Sequence, residues 1–136
     1  MRPRVRALSH FVFATWATAC GTEASDGPTS FFSNTVEPLL ADRCASRCHE
    51  PGVDEAEFLD LRTGHAHTSL VLVGSKQVPS MPRVTPGNLD KSYMWHKLKG
   101  TYMGVGGDGE PMPYASALKP QELVAIEKWI NDGAHK

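Results

Sequence analysis

Apolar positions recur at helical spacing in two stretches near the ends of the chain. In the first, Val36, Leu39, Leu40 and Cys44 fall on one face. Ser33 or Asn34 stands where a helix N-cap is wanted, and Pro38 falls in the first turn, where a missing N–H costs little. This pattern predicts a helix that delivers Cys44, Cys48 and His49 at its C-terminal end. In the second stretch Leu123, Ile126 and Ile130 form a stripe that Trp129 widens. Pro120 suits the start, Glu122 complements the helix dipole and Gly133 marks the stop.

Between them the pattern is weaker. Residues 66–73 are apolar enough for a short helix or a strand, and periodicity does not separate the two. Pro79, Pro82, Pro86 and Gly87 punctuate a run of turns. Asn88 or Asp90 is placed to cap a short helix through Leu98, ended by Gly100. Gly104, Gly106, Gly107 and Gly109 then make a loop leading to Glu110-Pro111-Met112-Pro113. No internal repeat is present.

The first nineteen residues read as an export signal. Arg2, Arg4 and Arg6 precede a short apolar stretch, residues 7–19, interrupted by Ser9 and His10 and too short to span a bilayer. Ala17-Thr18-Ala19 lead into Cys20, as at a bacterial lipoprotein processing site, although Ala17 replaces the usual leucine. In one reading Cys20 is lipidated; in the other an ordinary signal peptide is cut nearby and Cys20 is a stray thiol. Both place the mature chain in the periplasm or cell envelope. Residues 20–30 form a small, polar tether, so the expected organisation is signal 1–19, tether 20–30 and one domain over 31–136.

Composition narrows the class. The chain has 136 residues, enough for one domain, with 40 % hydrophobic and 21 % charged side chains. Its 12 glycines and 10 prolines concentrate in the centre, which should be loop-rich. Loss of residues 1–19 removes three of 14 basic side chains and none of 15 acidic ones, leaving a formal charge of −4. That argues against nucleic acid as a partner.

The chemistry concentrates in Cys44-Ala45-Ser46-Arg47-Cys48-His49. Two thiols followed by an imidazole suit covalent haem attachment: each cysteine forms a thioether with a vinyl group, and the histidine ligates the iron. The usual spacing is C-x-x-C-H; here there are three intervening residues. If Cys20 carries lipid, no thiol is left over. The alternative, a Cys44–Cys48 disulfide, closes a tiny loop, stabilises little and leaves His49 unexplained. His65, His67 and His96 are possible distal ligands but as isolated histidines are more often surface or core residues. Tyr93, Tyr102, Tyr114, Trp95 and Trp129 are expected to pack a pocket or the core. There is no nucleophile elbow, phosphate-binding loop or paired-metal spacing.

Several pieces recur in the order found in one family. They are Val36-Glu37-Pro38-Leu39 into Cys44, Cys48 and His49, then Thr85-Pro86-Gly87, Ser92-Tyr93, Lys97-Leu98-Lys99-Gly100, Met112-Pro113 and Trp129-Ile130-Asn131-Asp132-Gly133-Ala134. The chain from 31 to 134 thereby resembles a class I mono-haem c-type cytochrome, and more narrowly the short exported cytochrome c-like domains of bacteria. It departs in the extra residue between the cysteines and in Lys119, where a serine or threonine usually caps the last helix. The resemblance implies an all-α, cytochrome c-like fold of three or more helices around one haem c, the first and last helices packed across one another. It implies His49 as proximal ligand and Met112 as distal ligand, with Met81, also followed by proline, as the alternative. Met94 and Met103 are expected to pack or to lie exposed. The implied function is one-electron transfer between redox partner proteins, at a membrane if Cys20 anchors the chain, rather than an enzymatic one. The rivals are a haem-based sensor or gas-binding protein with an open sixth site, and a small peroxidase or electron-accepting subunit of a dehydrogenase.

Charge is uneven. Lys76, Arg83, Lys91, Lys97 and Lys99 oppose only Asp90 over residues 76–99, while Glu50, Asp54, Glu55, Glu57 and Asp60 stand unopposed over 50–60. The segments form either a dipole that steers an acidic redox partner or ordinary solubilising charge.

Overall fold

The computed structural model describes residues 30–46, 48–53, 59–114 and 116–136. The expected signal, Cys20, the tether up to residue 29 and the acids Asp54, Glu55 and Glu57 lie outside the described residues. Within them the chain is helical, with no strand, compatible with the all-α class that the resemblance implies. No helix there is long and apolar enough to cross a membrane.

The first helix, α1 (32–45), changes winding along its length. Phe32–Val36 is a wide π turn, Glu37–Leu40 is α-helical and Ala41–Ala45 is π again. Pro38 lacks an N–H, and its ring crowds the carbonyl one α-turn back, which favours the wider winding upstream. Nothing in the sequence of residues 41–45 accounts for the second wide turn. The start corrects the expected cap. Ser33 and Asn34 lie inside the first turn, and Ser30 holds it instead: its hydroxyl accepts the Ser33 N–H at 3.1 Å and its carbonyl the Asn34 N–H at 3.0 Å. Phe32, Val36 and Leu40 are buried at steps of four, whereas Leu39 and Cys44 are half-buried.

The ambiguous apolar run resolves into helix α2 (Ala66–Leu70). Val71 then pairs with Val84, and Gly74 with Pro82, in single bridges that gather the proline-rich turns. Helix α3 (Tyr93–Lys99) starts later than expected. Asn88 caps a turn, accepting the Lys91 N–H at 3.0 Å, and the residue at the N-cap of α3 is Ser92, not Asp90. Ser92 precedes α3 but turns its fully buried hydroxyl backward, accepting the Thr85 N–H at 2.9 Å and donating to the Asn88 carbonyl at 2.7 Å. Gly100 ends the helix at φ 70°, as expected. A 3-10 turn (Tyr102–Val105) opens the glycine-rich loop.

Helix α4 (Pro120–Asn131) follows its predicted stripe, with Ile126, Trp129 and Ile130 buried and Leu123 half-buried. Lys119 cannot cap with its side chain, and Glu122 compensates by accepting the Lys119 N–H at 2.6 Å. At the other end the Gly133 N–H bonds to the Ile130 carbonyl and the Ala134 N–H to the Trp129 carbonyl, a Schellman closure that Gly133 permits at φ 101°.

The core lies where α1 crosses α4. The rings of Phe32 and Trp129 stand 5.1 Å apart, and the His67 ring meets Phe32 edge-on at 5.3 Å. Trp129 donates its indole N–H to the His135 carbonyl at 2.8 Å, and His67 Nε2 bonds to the Ala134 carbonyl at 2.9 Å. Glu37 is buried beside this core, and its carboxylate accepts the Gly64 N–H at 2.9 Å, tying α1 to the approach of α2.

Truncation at this crossing should be costly. Phe32→Ala and Trp129→Ala should each lower unfolding free energy by about 3–5 kcal/mol in a denaturant titration. Val124→Ala, on the exposed face of α4, should stay within about 0.5 kcal/mol of wild type.

Candidate functional site

The two cysteines and the histidine are brought together at the end of α1. The last wide turn is closed by the Ser46 N–H bonding to the Ala41 carbonyl at 3.2 Å. The same five-residue step is taken once more: the His49 N–H bonds to the Cys44 carbonyl at 3.0 Å. The Cys48 N–H bonds to the Ala45 carbonyl at 3.2 Å, and the two bonds together make the same helix-ending pair that Gly133 and Ala134 make at α4. Cys44 and Cys48 are unbridged, so the disulfide alternative is not the arrangement found. Cys44 is half-buried and Cys48 exposed.

Burial sets the reactivity of the pair. Desolvation pushes the Cys44 thiol up to about 11, against a smaller opposing pull from the Arg43 guanidinium. The His49 carbonyl is held as well. The Leu61 N–H bonds to the His49 carbonyl at 2.9 Å. Next to it Asp60 takes two hydrogen bonds from the Arg62 guanidinium and one from the Arg62 N–H. Those bonds hold the Asp60 carboxyl at about 2.

Met112 is half-buried on the loop between α3 and α4. Its N–H donates to the Lys97 carbonyl at 3.1 Å, which also takes the Gly100 N–H at 3.4 Å where α3 ends. Downstream, Arg43, adjacent to Cys44, donates to Ser116 Oγ and to the Ala117 carbonyl, both at 3.3 Å, and lies 3.8 Å from Glu122. One residue thus links the cysteine turn to the segment that follows Met112. Met81 is half-buried on the proline-rich turns, where it lines an open cleft with Ser80, Pro82, Thr85 and Lys91.

The other candidates separate cleanly. His67 is engaged in the core. His96 bonds to Thr101 Oγ1 through Nδ1 and to the Asp90 carbonyl through Nε2, both at 2.9 Å. His65 is exposed, 3.6 Å from Asp60. Among the described residues no three His, Cys, Asp or Glu side chains converge on a site for a bare metal ion. Tyr93, Tyr102 and Trp129 are buried and Trp95 half-buried, but Tyr114 is 74 % exposed and packs neither pocket nor core. Met94 packs against the core and Met103 is exposed.

The basic segment is not one surface patch. Arg83 turns inward and donates to the Ser69 carbonyl at 2.7 Å. Lys97 donates to the Asp108 carbonyl at 3.0 Å with its ammonium 4.1 Å from the Tyr102 ring centre, and Lys99 lies over Trp95. The dipole expectation is weakened on this side; most of the acidic segment lies outside the described residues.

The donor set fits a covalently attached haem. Two unbridged thiols share a turn with an imidazole, and a neutral thioether stands on a separately anchored loop. No protein-family model, curated protein or solved structure matches the chain. Sequence reading missed Ser30, Phe32, Glu37, Arg43 and Gln77. Of these only Phe32 carried a signal, its spacing of four from Val36.

The thiols should differ sharply in the haem-free chain. Iodoacetamide near neutral pH should label Cys48 well before Cys44, whose labelling should rise only as pH approaches 11. Because folding raises the Cys44 pKa from 9.0 to about 11, its stabilising effect is complete below pH 9 and lost as pH rises toward 11. The stability gap between wild type and Cys44→Ala should narrow over that window.

Proposed function

We propose that this chain is an electron-transfer protein that carries one haem c, bound through Cys44 and Cys48 and ligated by His49 and Met112. The observation that carries the reading is the turn in which the His49 N–H closes on the Cys44 carbonyl at 3.0 Å with both thiols unbridged. Haem supplies a one-electron iron couple.

The residues then divide the work. Cys44 and Cys48 hold the group covalently, so its retention does not depend on axial ligation alone. His49 is oriented from both sides of its backbone, by Cys44 before it and Leu61 after it. Met112 offers a thioether that stays neutral in either oxidation state and favours ferrous iron. Met94, Trp95 and Leu98, half-buried on α3, are the apolar surface available to exclude water. Export to the periplasm or cell envelope, with Cys20 as a lipid anchor, would set the protein beside membrane and soluble redox partners.

Protein made alongside c-haem maturation machinery should keep its haem stain after denaturing electrophoresis. Cys44→Ala with Cys48→Ala should lose the stain. An apo mass for the wild-type protein from a host that matures C-x-x-x-C-H sites would sink the proposal.

The distal assignment has its own test. Met112→Ala should abolish the weak near-infrared methionine–iron band and lower the reduction potential, while Met81→Ala leaves both in place. The opposite pattern would move the assignment to Met81.

A further inference from the structure

Residues 106–111, which lead to Met112, contain three glycines and no large apolar side chain. Burial cannot hold this stretch; polar contacts do. The buried Tyr93 hydroxyl donates to Gln77 Oε1, and Gln77 Nε2 donates to both the carboxylate and, at 3.1 Å, the backbone carbonyl of Asp108. That carbonyl also receives Lys97 Nζ at 3.0 Å, and the Tyr102 hydroxyl donates to the Gly109 carbonyl at 2.5 Å. The loop backbone lies tight against Tyr93: a Cβ on Gly107 would stand 2.2 Å from the Tyr93 hydroxyl oxygen. Gln77 is the joint of this assembly, because it takes a hydrogen bond from α3 and returns two to the loop. It comes from a third element, the turn that carries Met81.

We propose that Gln77 is a positioning residue for Met112, clamping the glycine-rich loop to Tyr93 so that the thioether is presented in one place. The proposal rests on the reading of Met112 as distal ligand. Its polarity is specific: the amide oxygen faces a donor and the amide nitrogen faces a carboxylate and a carbonyl, so neither a carboxylate nor an aliphatic side chain at 77 reproduces it. Desolvation also raises the Tyr93 pKa, which keeps its hydroxyl a donor.

Gln77 is exposed, so its replacement should leave the fold intact. Hydrogen–deuterium exchange on the purified full-length chain should show residues 104–113 exchanging about tenfold faster in Gln77→Ala, the opening expected when such hydrogen bonds are lost. Exchange in α1 and α4 should be unchanged. In the haem-loaded chain the same variant should weaken the near-infrared band and shift the reduction potential toward that of Met112→Ala. Asp108→Asn keeps an acceptor oxygen for Gln77 and should behave as wild type. Unchanged exchange over 104–113 in Gln77→Ala overturns the clamp. Faster exchange with band and potential unmoved, where Met112→Ala moves both, overturns the positioning role. Faster exchange in Gln77→Ala with Met112→Ala itself silent supports the clamp but removes Met112 as ligand, so the two failures are distinct.

Discussion

Every described helix of this chain is short, and isolated helices of such lengths are marginal in water. The packing of α1, α2 and α4 centres on the contact of Phe32 with Trp129. Around that pair α1, α2 and the C-terminal residues meet. His67 of α2 touches Phe32 and bonds to Ala134, and Trp129 bonds to His135. The proline-rich turns join through Gly87, whose N–H donates to the Ile130 carbonyl at 2.7 Å. Once α1 is fixed at Phe32, its far end is fixed as well, and that end carries Arg43, Cys44 and the turn leading to His49.

The polar anchors of the site extend from this frame. Arg43 ties the cysteine turn to residues 116 and 117, and the Lys97 carbonyl holds the Met112 amide. The methionine loop is therefore secured at both ends by elements that the core has already placed. Its middle lacks apolar residues and depends on the contacts of Gln77, Asp108 and Tyr102.

Much of this was legible in the chain itself. The stripe Leu123, Ile126, Ile130 located α4, and Gly100 and Gly133 marked two helix ends because each adopts a left-handed backbone that glycine accepts readily. The clustering of Cys44, Cys48 and His49 followed from their adjacency. The start of α1 was not legible: Ser33 and Asn34 are good capping residues, and only three-dimensional placement shows that Ser30 does the work. Phe32 was overlooked because a cap at Ser33 or Asn34 would leave it before the helix, although its spacing of four from Val36 fits the same face. Arg43 and Gln77 were beyond reach, since their partners lie 73 and 31 residues away.

The wide turn at the end of α1 bears on how sequence spacing should be counted. In a C-x-x-C-H segment the first cysteine and the histidine are four residues apart, one α-helical step. Here they are five apart, and the backbone bond between them is the outer one of the pair that ends α1, with Cys48 bonded to Ala45 inside it. An inserted residue in a regular helix would rotate everything after it by about 100°, carrying the imidazole off the face its cysteine occupies. Ending the helix before the histidine removes that constraint, because His49 follows the closing turn and not the winding. A signature of this kind is then better defined by where the helix stops relative to its first cysteine than by a fixed number of letters.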